Sequence, residues 1–382
     1  MANANAPIVI VGSGLAGYNV AREVRKLDRQ VAILLVTEER GDFYYKPGLS
    51  TALAQKKTPE MLVGTPADEM ARSLELTLLA DTETTAVDLE RRRIVTSSGQ
   101  FGYGKLVLAL GADPIVLPIG GDGAACCLPV NDLAGYARWR TRLASARRVA
   151  VIGAGLIGCE FANDLLHAGM TPHVIDPNPL PLATLIPPTA GQALRDALAA
   201  AGVQWRLGTA VSTIERAAGG LCLQLTDDQT LAADLVLSAV GLRPRTGLAR
   251  ACGLRTGRGI WVDEFGQTSA QDVFAIGDCA EYGSGVLLFV QPIMLAARQL
   301  AKTLTGASSA IRFPPMPVIV KTPAHPVVAL NPPPATPGAW SAESSQDGVV
   351  QWFETPDGQT RGFALTGAAT QRRAEAMKRV GA

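Results

Sequence analysis

The first 125 residues of this 382-residue chain contain no cysteine, and the whole chain holds only three histidines, His167, His173 and His325. The six cysteines, Cys126, Cys127, Cys159, Cys222, Cys252 and Cys279, show no C-x-x-C or metal-ligand spacing. No disulfide framework and no metal site is therefore expected, and the thiols read as reduced and structural. Net charge is equally scarce: 35 basic against 34 acidic residues leave +1. With no basic stripe interleaved with aromatics, nucleic acid is disfavoured as the main ligand. Long apolar runs are missing too. The longest, such as Val31 to Val36 and Val149 to Ile152, have strand length and fall far short of the roughly 18 residues that span a bilayer. Met1 to Pro7 has no charged region followed by an apolar stretch, so no signal peptide is expected and the cytoplasm is the default. No heptad stands out, which makes a monomer the expected state.

What the chain does have is glycine in one pattern, twice. A β-branched run enters Gly12-Ser13-Gly14-Leu15-Ala16-Gly17, and another enters Gly153-Ala154-Gly155-Leu156-Ile157-Gly158. In a G-x-G-x-x-G turn the first Gly permits the tight turn and the second lets a pyrophosphate approach the backbone. The third lets helix and strand pack closely. The helix that follows then faces the phosphates with unpaired N–H groups and a partial positive charge. Repetition at a spacing of about one domain predicts two bound dinucleotides.

The first unit reads as strand 8–12, helix 15–28 and strand 31–37, then short strands near 75–79, 84–88 and 93–96. Residues 105–110 are a buried strand stopped by Gly111 and Pro114. The second unit reads as strand 148–152, helix 156–168 and strand 172–176, with Leu235 to Arg243 repeating the closing strand. A helix is expected from about Gln291 to Thr305. Pro-rich residues 311–337 forbid long helices, and a final helix is expected over 371–380. The fold class is α/β, with two Rossmann-like dinucleotide-binding domains and a small α+β C-terminal domain.

Acids after each glycine turn suggest which dinucleotides bind. Glu38 closes the second strand, 26 residues past Gly12, where a ribose hydroxyl is held. Asp176 stands 23 residues after Gly153 and is followed by Pro177 and Asn178 rather than by Arg or Lys. A carboxylate there accepts from a free 2′-hydroxyl and repels a 2′-phosphate, favouring NADH over NADPH. Asp278, in a short buried strand ending in Gly-Asp and leading into a helix, suits a polyol hydroxyl beside a diphosphate. Paired with the N-terminal glycine turn, it points to FAD.

The segments GSGLAG (12–17), LALGADP (108–114), GAGLIGCE (153–160), SAVGLRP (238–244) and FAIGDCA (274–280) occur in the order found in FAD-dependent pyridine nucleotide-disulfide oxidoreductases. The chain most resembles the rubredoxin reductases of that superfamily, through GLAGYNVAREVRKLD (14–28), YYKPGLST (44–51), GAGLIGCEFANDL (153–165), SAVGLRPRT (238–246) and VKTPAHP (320–326). The resemblance implies a glutathione-reductase-like fold. FAD is expected on residues 1–112 and 245–310, NADH on 113–244, and the partner near the C-terminal domain, 311–382. It implies that NADH gives hydride to FAD, and that the flavin gives single electrons to rubredoxin, a small acidic carrier serving pathways such as alkane hydroxylation.

Carried over by motif, Ser13, Gly14, Leu15, Ala16, Thr37, Glu38, Lys46, Thr84, Glu160, Asp278, Val290 and Lys321 are expected near FAD. Gly12 and Gly17, Ala109 and Gly111, Gly153, Gly155, Leu156, Ile157, Gly158, Asp176 and Gly241 complete the cofactor-binding set. Lys46 and Glu160 are the catalytic candidates: a Lys beside the flavin N5 would polarise it for hydride, and the carboxylate would fix that Lys. Lys321 would stabilise negative charge at flavin N1, and His325 is expected to have no role. The disulfide reductases carry a C-x-x-x-x-C pair where this chain has Tyr44 to Ser50. Thiol reduction is thus disfavoured, and electrons must leave directly from the flavin edge. A basic rim, including Arg298, Lys302, Arg312 and Lys321, would meet the acidic partner. The alternatives are another iron carrier, either a two-iron ferredoxin or a rubredoxin domain fused to a nitric oxide reductase, and a non-turnover NAD-binding sensor.

Overall fold

The computed structural model describes residues 6–343 and 348–381. The chain divides into two compact units, one made of Met1–Lys46, Met61–Asp113 and Leu242–Pro314, the other of Pro47–Glu60, Pro114–Gly241 and Pro315–Ala382.

In the first unit, β1 (Ile8–Val11) is buried at all four residues. It lies at the centre of a five-stranded parallel sheet, in the order Val273–Ala275, Lys105–Leu108, β1, Ile33–Val36, Thr77–Leu79. These strands are continuous apolar runs because helices cover a parallel sheet on both faces. α1 (Leu15–Leu27) buries Ala16, Tyr18, Val20, Ala21 and Val24 and packs on the helix Val290–Leu304. Ala296, Ala297 and Ala301 are fully buried on the latter, and such small side chains let the two helices approach closely. α1 stops where Asp28 turns extended and its carboxylate accepts the Gln30 and Val31 N–H groups. Each Val or Leu so buried contributes about 1.5–3 kcal/mol. A three-stranded antiparallel sheet, Thr84–Asp88, Arg93–Thr96 and Gly99–Gly102, completes the repeated part.

The second unit repeats this plan. Its parallel sheet runs Cys127–Pro129, Leu235–Ser238, β2 (Arg148–Ile152), Thr171–Asp176, Gln204–Leu207. α2 (Leu156–His167) follows β2, and a three-stranded antiparallel sheet spans Val211–Ala217, Gly220–Leu225 and Thr230–Ala233. In both units the closing strand and the strand after the helix flank the glycine-turn strand. The duplication read in the glycines thus extends to strand order.

The same unit carries an antiparallel sheet of five strands, in the order Val318–Val320, Val327–Leu330, Thr360–Thr366, Val350–Glu354, Ala339–Glu343. The helix Arg373–Val380 covers one face through Ala376 and Val380, against Trp352, Phe363 and Leu365. The helix Pro188–Ala200 meets the central strand Thr360–Thr366, and Gln351 accepts the Ala190 N–H. Two covered faces account for the nearly uninterrupted burial of that strand. Over residues 311–337 the described chain forms only short strands, as proline density requires.

Two local expectations are corrected. The turn at Asp278 does not run into a helix: a strand pair, Ala280–Tyr282 and Gly285–Val286, intervenes before the helix at Val290. The last helix begins at Arg373, because residues Gly367–Arg372 are wound as a tighter 3₁₀ segment.

Candidate active site

The two glycine turns are built alike, and each glycine has its own physical reason. Gly12 and Gly153 adopt φ of +110° and +105°, and a Cβ would meet the carbonyl oxygens of Ala109 and Ala239 at 2.3 and 2.6 Å. At Gly17 and Gly158 a Cβ would fall 1.9 Å from the carbonyls of Gly12 and Gly153, so the helix seats directly on the turn. At Gly14 and Gly155 a Cβ would meet nothing within 4 Å. The middle glycines therefore serve no internal packing need and leave the backbone open from outside. Both are helix N-caps with no side-chain cap, and neither helix has an acid in its first turn. Free N–H groups beside open backbone fit a diphosphate.

Around the first turn, the Ser13 hydroxyl donates to Thr37 Oγ1 at 2.9 Å, and both residues are buried. Glu38 is exposed and ion-paired with Arg245 at 2.5 Å, while Arg245 also pairs with Asp113 at 2.5 Å. Gly277 packs against Ala16, where an added Cβ would lie 2.8 Å from the Ala16 Cβ. Asp278 thereby stands beside the first turn of α1. Burial pushes the Asp278 carboxyl above its ordinary range, and the Lys46 ammonium draws it back. Gly111 takes φ +72° with open space at its Cβ position, and its carbonyl accepts the Arg245 N–H at 3.0 Å. The Thr84 hydroxyl is buried without a hydrogen-bond partner, as a group awaiting a ligand would be. Val290 opens its helix beyond an N-cap with no side-chain hydrogen bond.

Around the second turn, Asp176 Oδ2 accepts the Ala154 N–H at 2.7 Å, and Oδ1 accepts both the backbone and side-chain N–H of Asn178 at 2.8 Å. A carboxylate has about four acceptor positions, so capacity for a ribose hydroxyl remains. Leu156 is half-buried, Ile157 is 40% exposed just past the turn, and Gly241 takes φ +101°.

One turn further along α2 sits Glu160, fully buried. Its Oε1 accepts the Lys321 backbone N–H at 2.9 Å. Its Oε2 accepts the Ser50 hydroxyl and pairs with the Lys321 ammonium at 2.8 Å. That ammonium also donates to Ser50 Oγ and to the Pro47 carbonyl. Glu160 and Lys321, both expected near the flavin, are thus brought together, and the Lys46 ammonium acts on Asp278. His325 has a buried Nε2 without a partner, and burial lowers its pKa.

Sequence reasoning missed Ser50, Arg245, Asn163 and Asp164. Asp164, also on α2, accepts the Leu53 and Ala54 N–H groups at 2.9 and 2.8 Å, and burial raises its pKa to about 6. An acid at i+4 from Glu160 inside an apolar helix was the available signal. Among the described residues no cluster of His, Cys, Asp and Glu could hold a metal ion, and no helix is long and apolar enough to cross a membrane. All six cysteines are free.

A family model described as pyridine nucleotide-disulphide oxidoreductase matches residues 6–303, and one described as rubredoxin binding C-terminal domain matches residues 310–380. The chain is 39% identical to rubredoxin-NAD(+) reductase of Alcanivorax borkumensis over 373 residues, 97% of this chain and 98% of that one. It is 41% identical to the protein of the same name from Acinetobacter baylyi over 370 residues, 95% and 94% of the two chains. The solved complex of putidaredoxin reductase with putidaredoxin is similar with a TM-score of 0.89 at 26% identity, over 99% of this chain and 94% of that one.

Proposed function

This chain belongs to the pyridine nucleotide-disulphide oxidoreductase family, and from that premise we propose that it is an NADH-dependent FAD flavoprotein that passes electrons to rubredoxin. The observation that carries the reading is a pair of open glycine cradles in one chain whose first 125 residues lack cysteine. Two dinucleotides would be held, and the first 125 residues offer no thiol pair to carry electrons onward from the first. The match to a rubredoxin-binding C-terminal domain supports rubredoxin as the acceptor, as do the two relatives named rubredoxin-NAD(+) reductase.

FAD occupies the first cradle and NADH the second. When bound, FAD supplies a carrier that takes two electrons together and releases them one at a time. The chain's own groups bind and orient. α1 offers its N-terminal N–H groups to the diphosphate, Glu38 accepts from the adenosine ribose, and Asp278 takes a hydroxyl of the flavin-side polyol. In the second cradle α2 receives the other diphosphate and Asp176 excludes a 2′-phosphate. Lys46 and Glu160 would be the catalytic residues, and Lys321, held by Glu160, would supply positive charge to stabilise the reduced flavin. The protein acts as a cytoplasmic monomer.

The test is NADH-driven cytochrome c reduction with and without rubredoxin. Strict dependence on rubredoxin is expected. Equal rates with a two-iron ferredoxin in its place would move the acceptor to another class.

A further inference from the structure

α2 is apolar along most of its length, yet Glu160, Asn163 and Asp164 are all buried on it. Their spacings, i+3 and i+4, place them on one face. Together they spend their acceptors on two segments distant in sequence, Glu160 on both and Asp164 and Asn163 on one each. On residues 47–60, Glu160 takes the Ser50 hydroxyl, and Asp164 takes the N–H groups of Leu53 at Oδ2 and Ala54 at Oδ1. On the segment after Val320, Glu160 takes the Lys321 N–H and Asn163 Oδ1 takes the Ala324 N–H at 3.1 Å. The face is a clamp with two levels. The lower level, Glu160, holds Ser50 and Lys321. The upper level, Asn163 and Asp164, holds the backbone that carries them.

We propose that Asp164 is a positioning residue for flavin reduction by NADH: by binding two amide N–H groups it keeps Ser50 on Glu160, and so keeps the Glu160–Lys321 pair in place. It acts through Ser50. The inference rests on the NADH-to-flavin reading. Two donors three and four residues beyond Ser50 converge on one side chain, and an ionised carboxylate offers each of them a charge-assisted acceptor oxygen. Protonation puts a hydrogen on one oxygen and weakens the bond that oxygen accepts. Burial pushes this carboxyl up to about 6, so the loss falls in an accessible pH range. The charged and titratable groups facing it are Arg140 and Tyr136 on the helix Leu133–Leu143 and His167 in the last turn of α2. Arg140 and His167 favour the ionised form.

The experiment measures flavin bleaching by NADH in the holoenzyme from about pH 5 to about pH 8, where the carboxyl titrates. In the unaltered protein the rate is expected to fall about ten-fold below pH ~6, the size of one lost charge-assisted hydrogen bond. Asp164→Asn keeps one acceptor oxygen and presents an NH2 to the other donor. It is expected to be slow throughout, with no inflection. Ser50→Ala leaves Asp164 intact but cuts its route to Glu160, and is also expected to lose the inflection; His167→Gln is expected to keep it. Amide exchange gives a readout independent of turnover: Leu53 and Ala54 exchange faster in Asp164→Asn, while Val149 to Ile152 stay protected. A flat wild-type profile, an inflection retained in Ser50→Ala, or unchanged exchange at Leu53 and Ala54 would overturn the proposal. Absence of any bleaching by NADH would instead sink the functional reading.

Discussion

Glu160 and Lys321 meet at 2.8 Å with the carboxylate wholly buried and the lysine side chain 34% exposed. The lysine reaches solvent and the acid does not, so the two partners are unequal in what their loss leaves behind.

Lys321→Ala leaves the buried Glu160 carboxylate without this ammonium; breaking a fully buried pair costs about 3–5 kcal/mol, and the loss is expected to be smaller here because the lysine is 34% exposed. Glu160→Gln is expected to be milder, because a neutral amide still accepts a hydrogen bond and the freed lysine can turn to water. Denaturant midpoints of the two variants and of the double variant check this. The double variant is expected to recover part of the Lys321→Ala loss.

The glycines separate folding from binding. Gly14 and Gly155 have φ of −67° and −72° and open space at the Cβ position, so alanine fits the fold at both. Gly14→Ala is expected to fold and to emerge depleted of FAD, and Gly155→Ala to keep its flavin and weaken for NADH. Gly17→Ala would place Cβ 1.9 Å from the Gly12 carbonyl and is expected not to accumulate. Expression, flavin absorbance and NADH titration distinguish the three.

Such readings come from short stretches where each residue's reason is local. The two cradles span six residues apiece, and the acids after them follow by counting along a strand. The ion-pair cluster joins Glu160 to Ser50, 110 positions away, and to Lys321, 161 away. Nothing in the periodicity of either segment encodes that meeting. Arg245 reaches Glu38 across 207 positions, and from the sequence it was merely the residue after a proline. Asp164 was closer to legible, as an acid in the middle of an apolar helix. Its partners are backbone N–H groups, which every residue but proline has, so composition could not name them.

Asp176 is the residue proposed to set coenzyme choice. Asp176→Ala removes the acceptor for the Ala154 N–H as well as the one offered to the ribose, each charge-assisted bond being worth about 1.5–3 kcal/mol. The Kd for NADH is expected to rise at least ten-fold, and the NADH preference over NADPH to shrink. Comparable use of NADH and NADPH by the unaltered protein would contradict the assignment.

Asp164 also marks the pH dependence of stability. Its carboxyl is raised from 3.8 to about 6 in the folded chain, so the folded state holds this proton more tightly than the unfolded one. The resulting stabilisation is full below the unfolded value and is lost as the pH rises through about 6, a difference of about 3 kcal/mol. Asp164→Asn cannot lose it. Relative to the unaltered protein, the variant is expected to gain stability between about pH 4 and about pH 7, as read from paired urea denaturations.

The central claim, that electrons pass from NADH through FAD directly to rubredoxin, is most directly tested by anaerobic double-mixing stopped flow. NADH first bleaches the bound flavin, and oxidised rubredoxin is then added. Rapid bleaching is expected, followed by recovery of flavin absorbance as two rubredoxins are reduced, with the same rates after thiol alkylation. Bleaching that rubredoxin does not reverse, or recovery abolished by alkylation, would contradict it.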